Sequence, residues 1–86
     1  MDQRQRLLDI VENMPQPNKA AFYSDPEVEP LVEELHQRWA REGYKGEPID
    51  YATREEVEKL HRLAERYATM PQWQAYKLFV KRLEGG

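Results

Sequence analysis

The sequence predicts an all-α fold: a small antiparallel bundle of about four helices with two loop segments, in one domain spanning residues 1–86. Three observations carry this. Apolar residues recur at a 3.6-residue period in four stretches, about 2–14, 25–42, 54–68 and 71–84. Ser/Thr-x-x-Glu/Gln patterns, which mark helix starts, precede three of these stretches. No stretch alternates apolar and polar residues as a half-buried strand would, and no hairpin turn signal occurs. Helices that are apolar on one side bury their stripes most simply against each other.

The first predicted helix has Asp2 in the N-cap position and Leu7, Ile10, Val11 and Met14 on one stripe. Pro15 and Pro17 stop it, because proline lacks an amide donor and clashes with the preceding turn. The stretch from Met14 to Tyr23 reads as a linker whose Phe22 and Tyr23 fold back onto the core. The second helix opens on the box Ser24-Asp25-Pro26-Glu27 and buries Val28, Leu31, Val32, Leu35 and Trp39, with Pro30 disturbing its first turn. Gly43 ends it. Residues 43–52 then form a loop, broken by Gly43, Gly46 and Pro48 and anchored by Tyr44, Ile49 and Tyr51.

Thr53-Arg54-Glu55-Glu56 opens the third helix, whose inner face is Val57, Leu60, Leu63, Ala64, Tyr67 and Ala68. Thr69-Met70-Pro71-Gln72 opens the fourth, with Trp73, Tyr76, Phe79, Val80 and Leu83 on its stripe. The expected common core is Val32, Leu35, Trp39, Leu60, Ala64, Trp73, Tyr76 and Val80.

Composition narrows the function classes. A chain of 86 residues buries only about 60–65% of its unfolded surface, so its core is thin. Charged residues reach 34%, but nine aromatics argue against disorder. The absence of cysteine excludes a disulfide framework and a thiolate metal site, and fits a reducing, cytoplasmic setting. No apolar run approaches the ~20 residues that cross a bilayer. The N-terminal MDQRQRLLDIVENM carries charge on both sides of its apolar positions, unlike a signal peptide. A net charge of -3 argues against nucleic-acid binding by the whole surface, because a phosphate backbone needs a basic face.

One motif recurs. VEELH at Val32–His36 returns as VEKLH at Val57–His61, and each copy holds Glu-x-x-His. Helical di-iron proteins use that spacing to aim two ligands from one helix. Glu33, His36, Glu58 and His61 would be hard or borderline donors suited to Fe, Mn or Zn. On the helical wheel, however, His36 lies ~80° and Glu33 ~140° from the centre of the apolar face. The leucines point inward and the Glu-His pairs sideways. The repeat also stops at the pentapeptide, since Ala64 stands where Trp39 would recur. The preferred reading is an ordinary amphipathic turn written twice, and no cofactor is expected. No nucleophile triad, phosphate loop or zinc-protease motif is present, so no catalytic residues and no enzyme activity are expected.

The fourth helix has apolar groups on more than one face, and such a helix is usually buried on more than one face. Its second face, Ala75 and Leu78 with Lys77, Lys81 and Arg82, is the expected partner-binding surface. The acidic Glu29, Glu33 and Glu34 are the second choice. The functional expectation is a non-catalytic protein–protein interaction module, a regulator or inhibitor of a larger complex, with a protein partner or a second copy on that face. Two alternatives come from other classes. One is a DNA-binding regulator using the basic 71–84 helix as a recognition helix. The other is a metal-binding helical protein using the two Glu-x-x-His pairs. The terminal Gly85-Gly86 reads as a flexible cap after a helix, which requires no function.

Overall fold

In the computed structural model, which describes residues 2–85, the Asp2 carboxylate accepts the Arg4 amide and caps the first helix, α1 (Gln3–Glu12). Met1 and Gly86 lie outside the described residues. α2 (Gln16–Tyr23), α3 (Glu29–Arg41), a 3-10 turn at Pro48–Tyr51, α4 (Arg54–Ala68) and α5 (Gln72–Gly85) follow, and there is no strand among the described residues. The all-helical class stands. Among the described residues the number of α-helices is corrected from about four to five.

The additional helix is α2, read from sequence as a linker. Pro15 occupies its N-cap and Pro17 lies in its first turn, where a missing amide donor costs nothing. The same prolines that end α1 therefore begin α2. Eight residues are too few to hold a helix in water by themselves. Packing holds this one: Asn18, Ala21 and Phe22 are buried, and α2 lies against both α4 and α5. Asn18 is 1% exposed, and its Nδ2 donates to the carbonyls of Tyr67 and Met70, each at 2.7 Å. One side chain from α2 thus satisfies carbonyls at the α4–α5 turn that a helix end would otherwise leave open.

Two of the three predicted capping boxes are also corrected. The box at Thr53 forms: Glu56 N donates to Thr53 Oγ1, and Thr53 N to Glu56 Oε1. At Ser24 the chain turns first, and α3 starts only at Glu29. There Asp25 accepts the amide of Glu27, while Ser24 donates its hydroxyl to the Ala21 carbonyl. At Thr69 the hydroxyl donates backward to the carbonyls of Glu65 and Arg66, closing α4 instead of opening α5. Ser and Thr hydroxyls serve helix ends as donors or acceptors, and tertiary geometry chose the former at both places.

One core runs through all the elements. Leu7, Val11, Met14, Phe22, Val28, Leu35, Ile49, Val57, Leu60, Leu63, Ala64 and Tyr67 are buried together, with Val32, Leu78 and Phe79 packed on its edge. α1 packs on α4, α2 on α4 and α5, and α3 on the 3-10 turn. A bidentate pair joins α3 to α4: the Arg38 guanidinium donates to both Glu56 oxygens at 2.8 and 3.0 Å and to the Tyr51 carbonyl. Those hydrogen bonds hold the Glu56 carboxyl far below the usual carboxylate range, at about 2.

The molecule is only 19 Å through its shortest axis, about two helix diameters of ~10 Å. Each helix therefore has one face on the core and one toward solvent. No helix among the described residues is long and apolar enough to cross a membrane.

Candidate protein interface

The facing of α5 is rotated from the expected one, although Phe79 of the expected stripe does pack on the core. Ala75 is fully buried, Leu78 and Phe79 pack on the core, and Arg82 turns inward. Trp73, Tyr76 and Leu83, expected inside, are 66%, 59% and 68% exposed, and Val80 is half-buried. The cause is the missed helix. α5 lies along α2, where Ala21 and Ala75 are both fully buried, and small residues let two helix backbones approach closely. Large rings at positions 73 and 76 would hold them apart.

A polar clasp fixes this rotation. Arg82 Nη1 donates to the Ala21 carbonyl at 2.6 Å and the Ser24 hydroxyl at 3.1 Å. Its Nη2 donates to the Tyr67 hydroxyl at 2.7 Å, and Tyr67 donates onward to the Asp25 carboxylate. The guanidinium also lies 5.7 Å from the Tyr67 ring centroid. Asp25 is 7% exposed, a buried charge held by hydrogen bonds and an opposite charge, as such groups must be. Burial pushes the Tyr67 phenol above its ordinary range, so it stays neutral and keeps donating. The clasp joins α5, α4 and the α2–α3 turn.

Of the five residues expected to bind a partner, Ala75 is buried, Leu78 and Arg82 are half-buried against the rest of the fold, and only Lys77 and Lys81 face fully outward. The outward stripe is Trp73, Tyr76, Lys77 and Val80, flanked by Lys81 and Leu83. Lys77 Nζ lies 5.8 Å from the Trp73 ring centroid. Because Arg82 is spent on the clasp, the outer face of α5 offers two lysines beside Glu84, a thin basic surface for a nucleic acid.

A second surface feature was missed in its apolar part. An open groove of about 550 Å³ lies along α3, lined by Tyr23, Val32, His36, Trp39, Ala40 and Tyr44, with Glu29, Glu33 and Gln37 at its rim. Trp39 is half-buried, not central: its Nε1 donates to the Gly46 carbonyl at 3.0 Å, and its ring meets Tyr44 edge-on at 5.0 Å. Tyr44 has a left-handed backbone (φ 62°), held by the hydrogen bond its backbone N–H donates to the Trp39 carbonyl. Only Glu29 and Glu33 were legible here, as the acidic second choice.

The four Glu-x-x-His residues do not converge. Among the described residues, no three His, Asp or Glu side chains gather as a metal site. His36 is exposed, with Nδ1 2.8 Å from the Val32 carbonyl. Glu58 pairs with Arg54, and His61 Nδ1 lies 3.4 Å from Glu65. Glu33 stands on the groove rim. No family model, curated protein or solved structure matches the chain.

Proposed function

We propose that the chain is a non-catalytic protein–protein interaction module whose docking surface is the outer face of α5. The observation that carries this is the exposure of Trp73, Tyr76 and Leu83 on a helix whose opposite face is buried. Trp and Tyr dominate binding energy where proteins meet, because they bury much apolar area at small entropic cost. Two such rings largely in water on one stripe form the kind of exposed apolar patch that marks interaction sites. Lys77 and Lys81 beside them suit a partner surface that is apolar in the middle and acidic at the edge. Such a module acts by covering part of a larger assembly, as a regulator or inhibitor does. The non-catalytic reading is supported by Glu56, the one strongly displaced carboxyl among the described residues, which pairs with Arg38 between α3 and α4 and does not face an open groove.

The test is affinity capture from the native cell with the parent chain and with Trp73→Ser/Tyr76→Ser, identified by mass spectrometry. The double variant is expected to lose specific captured proteins while its melting temperature stays near the parent's. If the captured set is unchanged, the face does not dock a partner.

A further inference from the structure

Two surfaces of this molecule complement each other. The rim of the α3 groove carries Glu29 and Glu33, one helical turn apart, and neither makes an ion pair among the described residues. Like charges at that spacing destabilise a helix, and neither carboxylate has a basic group within ion-pairing distance. On the other edge of the same helix, Glu34 is paired with both Arg38 and Arg41. The α3 groove itself is lined by no lysine or arginine. The α5 stripe shows the opposite pattern: Lys77 and Lys81, also one turn apart and without a carboxylate partner, beside Trp73, Tyr76 and Val80.

We propose that the α3 groove receives the α5 stripe of a second copy of this chain, forming a closed two-fold dimer in which each copy both inserts its helix and accepts its partner's. The proposal rests on the reading of α5 as a docking surface and names what docks. Equal spacing lets Lys77 and Lys81 of one copy meet Glu29 and Glu33 of the other while the aromatic rings enter the apolar groove. Placement within the molecule favours closure. A cleft of about 750 Å³, lined by Glu29 and Pro30 of α3 and by Leu78, Lys81 and Leu83 of α5, separates groove from stripe. In the proposed dimer the two-fold axis passes through that cleft, so that each groove takes the other copy's helix and both contacts form at once. A one-way contact would instead propagate as an open chain.

Sedimentation velocity from micromolar to sub-millimolar concentration tests this with two charge-reversed variants, Glu29→Lys/Glu33→Lys and Lys77→Glu/Lys81→Glu. All four side chains are exposed, and circular dichroism checks that each variant folds. The parent chain is expected to dimerise, and each variant alone to weaken dimerisation about a hundredfold, since like charges face each other in both contacts. Mixing the two variants restores opposite charges in both contacts, so a one-to-one heterodimer is expected. A parent that stays monomeric throughout overturns the proposal, as does a dimer indifferent to both variants or a mixture that forms no heterodimer. If a charge variant does not fold, Trp73→Ser/Tyr76→Ser replaces it: that variant must be monomeric, and a dimer there refutes the proposal. A monomeric parent whose captured proteins are lost in Trp73→Ser/Tyr76→Ser leaves α5 as a docking face for a different protein, and only the dimer fails.

Discussion

Replacing Arg82 by Met tests whether the clasp sets the rotation of α5. Methionine keeps most of the apolar stem and removes the guanidinium. Three hydrogen bonds are lost, to the Ala21 carbonyl, the Ser24 hydroxyl and the Tyr67 hydroxyl. Asp25 keeps the Tyr67 hydroxyl and the Glu27 amide but loses its nearby cation, 3.8 Å away. Breaking a fully buried ion pair costs ~3–5 kcal/mol. The Arg82 side chain is 24% exposed, so water recovers part of this. The expected loss is ~2–3 kcal/mol, in line with one or two hydrogen bonds to a charged group. A domain of 86 residues has a total stability of ~4–13 kcal/mol. At ~4–8 °C per kcal/mol, the melting temperature should fall by about 10–20 °C. Thermal melts followed by far-UV circular dichroism at neutral pH measure this. A double-mutant cycle with Asp25→Asn should show coupling above ~1 kcal/mol. If Arg82→Met melts within about 3 °C of the parent, the clasp does not hold α5, and core packing alone must set its rotation.

Leu78 and Trp73 should respond oppositely. Leu78→Asp puts an unpaired charge at the core edge and should unfold much of the isolated chain, whereas Trp73→Ser should change stability by less than about 0.5 kcal/mol in urea titration. Asn18→Leu should cost about 2–3 kcal/mol, because the carbonyls of Tyr67 and Met70 lose their shared donor inside the fold; a chevron or equilibrium denaturation series reads it. Glu56 titrates near 2 in the folded chain, against 4.5 for a free side chain, so the unfolded chain takes up the proton first. Its contribution is complete above about pH 4.5 and lost as pH falls toward 2, so the stability gap between parent and Glu56→Gln should narrow over that range and close at its acid end.

Local chemistry sufficed to place four of the five helices within a few residues. It was strongest for α4, where the Thr53–Glu56 box forms and Val57, Leu60, Leu63, Ala64 and Tyr67 are all buried as their period requires. A long helix with one apolar stripe and one cap has a single consistent reading, because its hydrogen bonds and its apolar face are both set within the segment. α2 has neither advantage. Its eight residues hold as a helix through Asn18 and through contact with α4 and α5, which are distant in sequence. α5 has two apolar arcs, and residue size favoured the one with Trp73 and Tyr76. The choice was settled by a neighbour: close approach to α2 requires Ala75, and Arg82 finds part-buried acceptors on that side. The candidate interface inherits this division. Its charges, Lys77, Lys81, Glu29 and Glu33, are legible in sequence, but which apolar residues stand beside them in water depends on the rotation of one helix about its axis. That rotation is a property of packing between segments, which no segment determines by itself.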